Sequence, residues 1–336
     1  MPRMERRADD ELALERKAMH VISGEKILVT GVTGMVARPL AEFLAAENEV
    51  WGGARFSGST AGAESSVEED LRASGIRPVS IDVGAGRFDD LPDDFTYVLH
   101  LAWMRADIAH LSEALRTNAE GTGLLLQHCR RAKASLVMSS TAVYSANPDP
   151  WHLFTEDDPL GQGPTGQTAQ SSPASKLGTE VVARFCARAF DMPVTIARLN
   201  TFSGTTSSFP AMHIRAVLND AAIPAPNDPN PHSPIDVEDM KIQLESLLDA
   251  ASTPALITNW CGDEVVTSQD WVREASRLSG KQGQLLVSPV PGSPPGAAGD
   301  PTLRRSITGP CQVKFADSFA RLYEQLTDVQ PTKTAD

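Results

Sequence analysis

The sequence predicts an α/β protein with a doubly wound parallel sheet and a smaller C-terminal lobe. Three observations lead to this prediction. Short apolar segments alternate with helical patterns from Lys26 onward, a glycine turn follows the first of these segments, and proline-rich stretches interrupt the alternation in the second half. Neighbouring parallel strands need long crossover connections, so helices are expected on both faces of the sheet.

The expected elements follow one another along the chain. Residues 1–24 are rich in Arg and Glu and predict a short solvated helix or a disordered arm. Strands are expected at 27–29, 49–51, 78–81, 97–101, 136–139 and 194–198, and helices at 39–46, 106–132 and 173–189. The many Pro, Gly, Ser and Asp residues of 145–172 predict a long mobile loop.

Composition excludes several classes of protein. The 336 residues carry a net charge of -13, which repels phosphate backbones, so no nucleic-acid partner is expected. No segment approaches the ~20 apolar residues of a membrane span, and the N-terminus has no apolar signal core. The four cysteines lie far apart without metal-ligand spacing. We therefore expect a cytoplasmic protein without a metal or a membrane partner.

The turn after the first strand reads Thr-Gly-Val-Thr-Gly-Met-Val-Ala over residues 30–37. Gly31 permits a tight turn, Gly34 lets the backbone approach a pyrophosphate, and Ala37 lets the helix pack closely on the strand. The helix N-terminus then offers N–H groups and partial positive charge. Its place in a strand–turn–helix unit favours a Rossmann-type dinucleotide site over an ordinary glycine-rich turn, and the expected contacts are Gly31, Thr33, Gly34, Met35 and Val36.

The end of the second strand bears on which dinucleotide is bound. An NAD site usually places an acidic side chain there for the ribose 2′-hydroxyl, but this chain has Gly52, Gly53, Ala54 and Arg55. Arginine suits phosphate oxygens, so Arg55 favours NADP over NAD, which remains possible; the alternative is a solvated surface arginine. We expect a dinucleotide-binding domain over 25–204 and a substrate lobe over 205–330, interleaved with the last strands of the sheet.

Six further motifs occur in order along the chain. They are Ile81-Asp82-Val83, His100-Leu101-Ala102, Asn118-Ala119-Glu120-Gly121-Thr122, Ser139-Ser140-Thr141-Ala142-Val143-Tyr144, Arg198-Leu199-Asn200 and Ile235-Asp236-Val237-Glu238-Asp239. With the glycine turn, they make residues 26–325 resemble the extended short-chain dehydrogenase/reductase superfamily, in particular its NAD-dependent epimerase/dehydratase family.

The resemblance implies roles for several of these residues. Asp82 and Val83 would meet the adenine, Leu101 and Ala102 would line the path of the cofactor, and Asn118 would hold the backbone of the active site. Plainer alternatives are that Asp82 caps a loop and that Leu101 is core. The resemblance also implies a homodimer in which the helices around 106–132 and 173–190 form an intermolecular bundle.

The catalytic pattern of this family is incomplete here. Members carry a Tyr-x-x-x-Lys pair on one helix face and an orienting serine on the preceding strand; the lysine lowers the pKa of the phenol, which then exchanges a proton with the substrate. Lys176 and Ser140 match, but Ser172 stands at the tyrosine position. Without a tyrosine partner, Lys176 would still bind the cofactor by contacting the nicotinamide ribose. Tyr144 is favoured as structural. Residues of the 145–172 loop offer a replacement acid or base: His152, Glu156, Asp157 and Asp158.

Three functions remain open from the sequence. The first is an NAD(P)-dependent oxidoreductase or epimerase that acts on a hydroxyl or carbonyl carbon of a small molecule, with Ser140 and Lys176 organising the oxygen. The second is a non-redox isomerase, lyase or cyclase of specialised metabolism on the same fold. The third is a cofactor-binding regulator without turnover. The intact glycine turn and Lys176 favour the first, and the missing tyrosine favours the other two.

Overall fold

The computed structural model describes residues 22–56, 63–161, 172–289 and 294–328. The expected N-terminal arm therefore lies outside the described residues except for 22–24, and so does part of the expected loop, 162–171.

The described residues build a seven-stranded parallel sheet with the order β11-β6-β5-β4-β1-β2-β3. The doubly wound sheet predicted from the sequence is thus confirmed. Its strands are β1 (Lys26–Thr30), β2 (Glu49–Ala54), β3 (Ile76–Ser80), β4 (Tyr97–His100), β5 (Ala134–Ser140), β6 (Val194–Leu199) and β11 (Leu256–Trp260).

Short strands outside the sheet pair in twos, and helices fill the crossovers. The short strands are β7 (Phe202–Ser203), β8 (Ala222–Ala225), β9 (Pro231–His232), β10 (Ile235–Asp236), β12 (Val266–Thr267) and β13 (Gln284–Val287). The helices are α1 (Ala37–Ala45), α2 (Ala63–Ala73), α3 (Leu111–Leu115), α4 (Gly121–His128), α5 (Ser172–Phe190), α6 (Phe209–Leu218), α7 (Val237–Asp249), α8 (Ser268–Ser279), α9 (Thr302–Thr308) and α10 (Phe315–Thr327).

Both faces of the sheet are buried, which explains why its strands are apolar at successive positions. Ile27 and Val29 belong to a core that includes residues of α1 and α7. Leu28, between them, belongs to a second core that includes residues of α4 and α5. Because side chains alternate across a strand, helices on both sides are needed to cover such a run.

The prediction of one continuous helix over 106–132 is wrong. Ile108–His110 is a 3-10 turn, α3 follows, Arg116–Glu120 forms a π-helical turn, and α4 ends at His128. A physical reason lies at Gly121, where an added Cβ would stand 2.8 Å from the carbonyl oxygen of Val83. The backbone approaches a neighbouring turn closely here, and π-helical turns often mark such special positions.

A separate cluster of the described residues forms the C-terminal lobe. Helices α6, α8 and α10 pack together around Trp271, Ile214 and Phe319, beside the parallel pair β8 and β13. Between these segments the chain returns to the central sheet through α7 and β11.

None of the described helices is long and apolar enough to span a membrane. Across the same residues there is also no group of three His, Cys, Asp or Glu side chains that could hold a metal ion.

Candidate active site

The glycine turn after β1 is shaped by close backbone contact. Gly31 has a φ of +73°, and a Cβ there would lie 2.8 Å from Cα and 2.9 Å from N of Ala102. The N–H of Gly31 donates to the carbonyl of Gly53 at 2.7 Å, and the N–H of Gly34 donates to that of Gly31 at 2.7 Å. A side chain at position 31 would therefore force the loop after β4 away from the turn.

The N-terminus of α1 is open towards solvent. Val36 stands at its N-cap and supplies no side-chain hydrogen bond to the N–H groups of the first turn. The preceding residues Thr33, Gly34 and Met35 are exposed. An uncapped helix N-terminus offers several donors and a partial positive charge, which suits a phosphate group.

A buried hydrogen-bond chain fixes the end of β4. Thr30 Oγ1 and His100 Nδ1 are 2.8 Å apart, and His100 Nε2 and Thr122 Oγ1 are 2.9 Å apart. Thr122 donates its own proton to the carbonyl of Asn118 at 2.5 Å, so it accepts from His100. His100 is therefore neutral with its proton on Nε2, and burial, together with the charge of Lys176, lowers its pKa to about 3.

These hydrogen bonds also position the backbone segment along which the cofactor is expected to lie. Thr30 Oγ1 accepts the N–H groups of Leu101 and Ala102, each at 3.2 Å. Both residues are half-buried at the end of β4. Their backbone is thus held against the glycine turn, since Thr30 is the last residue of β1.

Asn118 clamps the loop that follows. Its Oδ1 accepts from the N–H of Met104 at 2.7 Å, and its Nδ2 donates to the carbonyl of Met104 at 2.9 Å. Nδ2 also lies 3.3 Å from Ser175 Oγ on α5. The π-helical turn therefore joins the end of β4 to the start of α5.

The expected adenine side combines Asp82, Val83 and Arg55. Asp82 Oδ1 accepts from the N–H of Ala85 at 3.1 Å and caps the 3-10 turn Val83–Ala85. Burial raises the pKa of Asp82, but the Ala85 N–H, Arg87 and Arg55 together lower it by more. The net effect is a pKa below the ordinary value for Asp. Arg55 is exposed just beyond β2, within electrostatic reach of Asp82.

The strand β5 and the helix α5 bring the expected catalytic residues to the same end of the sheet. Ser140 ends β5 half-buried, and its Oγ accepts from the N–H of Ala142 at 3.2 Å. Ser172 begins α5 and is buried, and Lys176 lies one turn later on the same helix face. Lys176 Nζ donates to the carbonyl of Met138 on β5 at 2.7 Å.

The third position of this helix face is a buried carboxylate. Glu180 Oε1 accepts from Ser139 at 2.5 Å and from Arg198 Nε at 3.0 Å, and its Oε2 accepts from Arg198 at 2.9 Å. Both oxygens of Glu180 are therefore engaged away from Lys176. Burial lowers the pKa of Lys176 to about 7, and the raising influence of Glu180 does not offset it.

None of the three tyrosines, all of which lie within the described ranges, replaces the missing phenol. Tyr144 donates from its hydroxyl to Asn259 Oδ1 at 2.6 Å and accepts from Arg198 at 3.1 Å, and burial raises its pKa to about 12. Tyr97 accepts from Lys133 at 2.9 Å, and Tyr323 packs in the C-terminal lobe. These contacts make all three structural.

The residues after β5 form a loop over 145–161, as the sequence predicts, and this part of the loop makes specific contacts. Glu156 Oε1 accepts from the N–H of Asn259 at 2.7 Å. Asp158 contacts His152 Nε2 at 2.9 Å and accepts from the N–H of Thr155 at 2.7 Å. Contacts to a strand a hundred residues later are not visible in local composition. Asp157 is exposed.

Trp103 is a site residue that the sequence argument missed. It follows the His-Leu-Ala motif, its ring centroid lies 5.4 Å from Lys176 Nζ, and its Nε1 lies 3.5 Å from Ser175 Oγ. An aromatic residue directly after that motif was the available signal. The indole ring therefore lies over the amine of Lys176.

Comparisons with known proteins agree with this fold. The sequence model of the NAD dependent epimerase/dehydratase family matches residues 27–228. No curated protein sequence matches the chain.

Three solved structures illustrate the shared fold. UDP-glucuronic acid 4-epimerase from Bacillus cereus, solved with UDP-glucuronic acid and NAD, has a TM-score of 0.76 and 20% identity, over 91% of this chain and 100% of that one. UDP-N-acetylglucosamine 4-epimerase from Methanobrevibacter ruminantium, solved with UDP-N-acetylmuramic acid, gives 0.75 and 16%, over 92% and 100%. DesIV, a dTDP-glucose 4,6-dehydratase from Streptomyces venezuelae solved with NAD, gives 0.72 and 20%, over 90% and 97%.

Proposed function

The chain belongs to the NAD dependent epimerase/dehydratase family, a family of enzymes, and on that premise we propose that it uses NADP(H) to act on a hydroxyl or carbonyl carbon of a small molecule. Bound at this site, the coenzyme supplies or accepts hydride. Ser140 would orient the substrate oxygen from the end of β5, and Lys176 would supply positive charge from α5. Ser172 would border the reacting oxygen at the position of the missing phenol.

One observation carries the cofactor part of the proposal. Gly31, at a φ of +73°, closely approaches the backbone of the loop after β4. The turn that contains it leads into α1, whose N-terminus has no capping side chain. The contact fixes the turn, whose amides lie beside the helix end, and the helix end attracts the negative charge of a diphosphate. Calorimetry with NADPH and NADH tests this directly. Absence of binding for both at millimolar concentration would end the proposal.

The preference for NADP rests on Arg55. An exposed guanidinium just after β2, with no acid at the strand end, suits a 2′-phosphate. We expect Arg55→Ala to weaken NADPH binding about tenfold or more and to leave NADH binding within about twofold, a difference typical of one charge-assisted contact. Arg77→Ala is the matched control, because Arg77 is an exposed arginine near the start of the neighbouring strand β3, where it is paired with Glu49. Equal losses for both coenzymes would contradict the assignment.

Sugar nucleotides are the first substrates to test, since the structural neighbours were solved with such molecules bound. Turnover accompanied by a change in nicotinamide absorbance supports the redox reaction. The serine at 172 favours one competing function, a non-redox isomerisation, elimination or cyclisation. That reaction would consume substrate without even a transient absorbance change, whereas an epimerase that removes hydride and returns it would show a transient change in a single turnover. Ser172→Tyr separates the two, since a redox enzyme with this geometry would gain rate and a non-redox enzyme would not.

We also propose that the enzyme is a homodimer joined through α4 and α5. Val181 and Phe185 lie one turn apart on α5 and are 62% and 64% exposed, and Leu124 on α4 is also exposed. Apolar side chains grouped in this way on a helical surface are typical of an interface. A second copy of the same surface would bury them.

A further inference from the structure

Lys176 is a buried amine without a carboxylate partner. Its residue is 6% exposed, and its Nζ donates one hydrogen bond, to the carbonyl of Met138 at 2.7 Å. The nearest acid on its own helix, Glu180, is held by both nitrogens of the Arg198 fork at 2.9 and 3.0 Å. Among the described residues Lys176 therefore forms no ion pair, although a buried ammonium normally requires one.

The groups around Lys176 leave its two protonation states close in free energy. Burial favours the neutral amine, the more distant Glu180 carboxylate favours the ammonium, and the pKa falls to about 7. His100, on β4, is neutral, and Arg198, on β6, is neutralised by Glu180. The Trp103 ring at 5.4 Å attracts the ammonium form. An amine balanced in this way can both give and take a proton near neutral pH.

We propose that Lys176 itself exchanges the proton with the substrate oxygen, in place of the missing tyrosine. The proposal rests on the proposed function for the location of the substrate. In the reducing direction the carbonyl carbon gains hydride from the reduced coenzyme, the C=O π bond breaks, and the oxygen takes a proton from the ammonium of Lys176. The carbon is reduced, the coenzyme is oxidised, and the neutral amine regains a proton from solvent. Oxidation runs through the same transfers in reverse.

The geometry supports this role for Lys176 over two of the acids in the loop after β5. Glu156 and Asp158 are engaged in holding that loop. Lys176 uses one N–H for Met138, which fixes the direction of the side chain, and an ammonium has three donors. Two donors of the ammonium thus remain without a partner among the described residues. Ser172, one turn closer to the N-terminus, lacks the benzene ring that separates Cβ from the hydroxyl in tyrosine.

The first test measures the protonation of Lys176 without reference to turnover. The chain has eight lysines, so 13Cε-lysine spectra can follow each one through a pH titration, with the Lys176 signal identified by its loss in Lys176→Arg. Lys133 is the internal control, because its hydrogen bond with the Tyr97 hydroxyl raises its pKa. We expect a midpoint near 7 for Lys176 and one above 10.5 for Lys133. Titration of Lys176 together with the other lysines in the alkaline range would overturn the proposal.

The second test separates proton transfer from positive charge. Lys176→Arg retains a cation, but a guanidinium stays protonated at every accessible pH. We expect the coenzyme Kd to change by less than about threefold, while the redox rate falls by about 10²–10⁴-fold, the usual contribution of a general acid. Lys133→Arg should leave both unchanged. A Lys176→Arg enzyme with full rate would assign Lys176 a merely electrostatic role and overturn the proposal.

The two proposals fail in different ways. If calorimetry finds no coenzyme bound to the wild-type chain, the proposed function fails, whatever the titration midpoint of Lys176. If coenzyme binds and turnover occurs but Lys176 titrates with the other lysines, only the proton-transfer role fails. The lysine titration is carried out on the wild-type protein, and Lys176→Arg is needed only to assign the Lys176 signal.

Discussion

Replacing Gly31 with alanine would test whether the glycine turn is shaped by contact with the loop after β4. An L-residue in the left-handed region costs roughly 1–2 kcal/mol. The added Cβ would also lie 2.8 Å from Cα and 2.9 Å from N of Ala102, which are backbone atoms that cannot rotate away. Relief of such overpacking typically costs about 1–3 kcal/mol more. We therefore expect Gly31→Ala to lower the free energy of unfolding by about 2–5 kcal/mol.

Gly280 provides a matched control for the backbone conformation. It caps the C-terminus of α8 at a φ of +69°, close to the +73° of Gly31, and a Cβ there meets nothing within 4 Å. Gly280→Ala should therefore show only the conformational cost of about 1–2 kcal/mol. The difference between the two variants isolates the contact with Ala102.

Urea unfolding measures both variants, and calorimetry measures their coenzyme binding. Moving the turn displaces the amides expected to hold the diphosphate, so Gly31→Ala should bind NADPH at least about tenfold more weakly, whereas Gly280→Ala should bind as the wild type does. Equal destabilisation of the two variants would refute the steric argument. Unchanged NADPH affinity in a folded Gly31→Ala protein would refute the assignment of the phosphate site.

Three further outcomes are expected. The pKa of His100 in the fold, about 3, lies below its ordinary 6.5, so its contribution to stability is complete above pH 6.5 and is lost as the pH falls. Burial lowers the pKa of His232 to about 3 as well, so His232 adds a slope of its own. Between about pH 6 and pH 4 the unfolding free energy of the wild type should therefore fall more steeply than that of His100→Asn, by about 1 kcal/mol per pH unit, and equal slopes would contradict this. Glu180→Gln leaves Arg198 buried without its charged partner. The free energy of unfolding in urea should fall by about 3–5 kcal/mol. A fall below about 1 kcal/mol would show that water or another group takes the place of the Glu180 carboxylate. Phe185→Glu, at an exposed apolar position on α5, should elute as a monomer in size-exclusion chromatography if α4 and α5 form the dimer interface; an unchanged elution volume would place any interface elsewhere.

The central sheet could be predicted because its strands are buried on both faces. Runs such as Ile27-Leu28-Val29 are apolar at every position, so they stand out from the amphipathic helices between them. Helix α2 was not predicted, since its residues 63–73 are mostly polar and charged and carry little apolar pattern. The break at Arg116–Glu120 was missed for a different reason. It coincides with a close tertiary contact between Gly121 and Val83, which no local pattern encodes.

The candidate site was predicted in its residues but not in its electrostatics. Lys176 and Ser140 could be located from motif spacing, and the structure brings β5 and α5 together as that spacing requires. The absence of a counterion for Lys176 could not be predicted. It depends on Arg198, which takes both oxygens of Glu180 and lies on another strand. Partner choice of this kind is decided by three-dimensional packing, not by position along one helix.

The same pairing explains how the site accommodates a serine where a phenol is usual. The inward face of α5 carries Ser172, Lys176 and Glu180 at successive turns, and only the last two bind β5. Glu180 joins the helix to β6 through Arg198, which also donates to the Tyr144 hydroxyl. The position of α5 is therefore set by Lys176 and Glu180, so the residue at 172 can change without displacing the helix. A change at position 172 therefore alters the chemistry available at the site before it alters the fold.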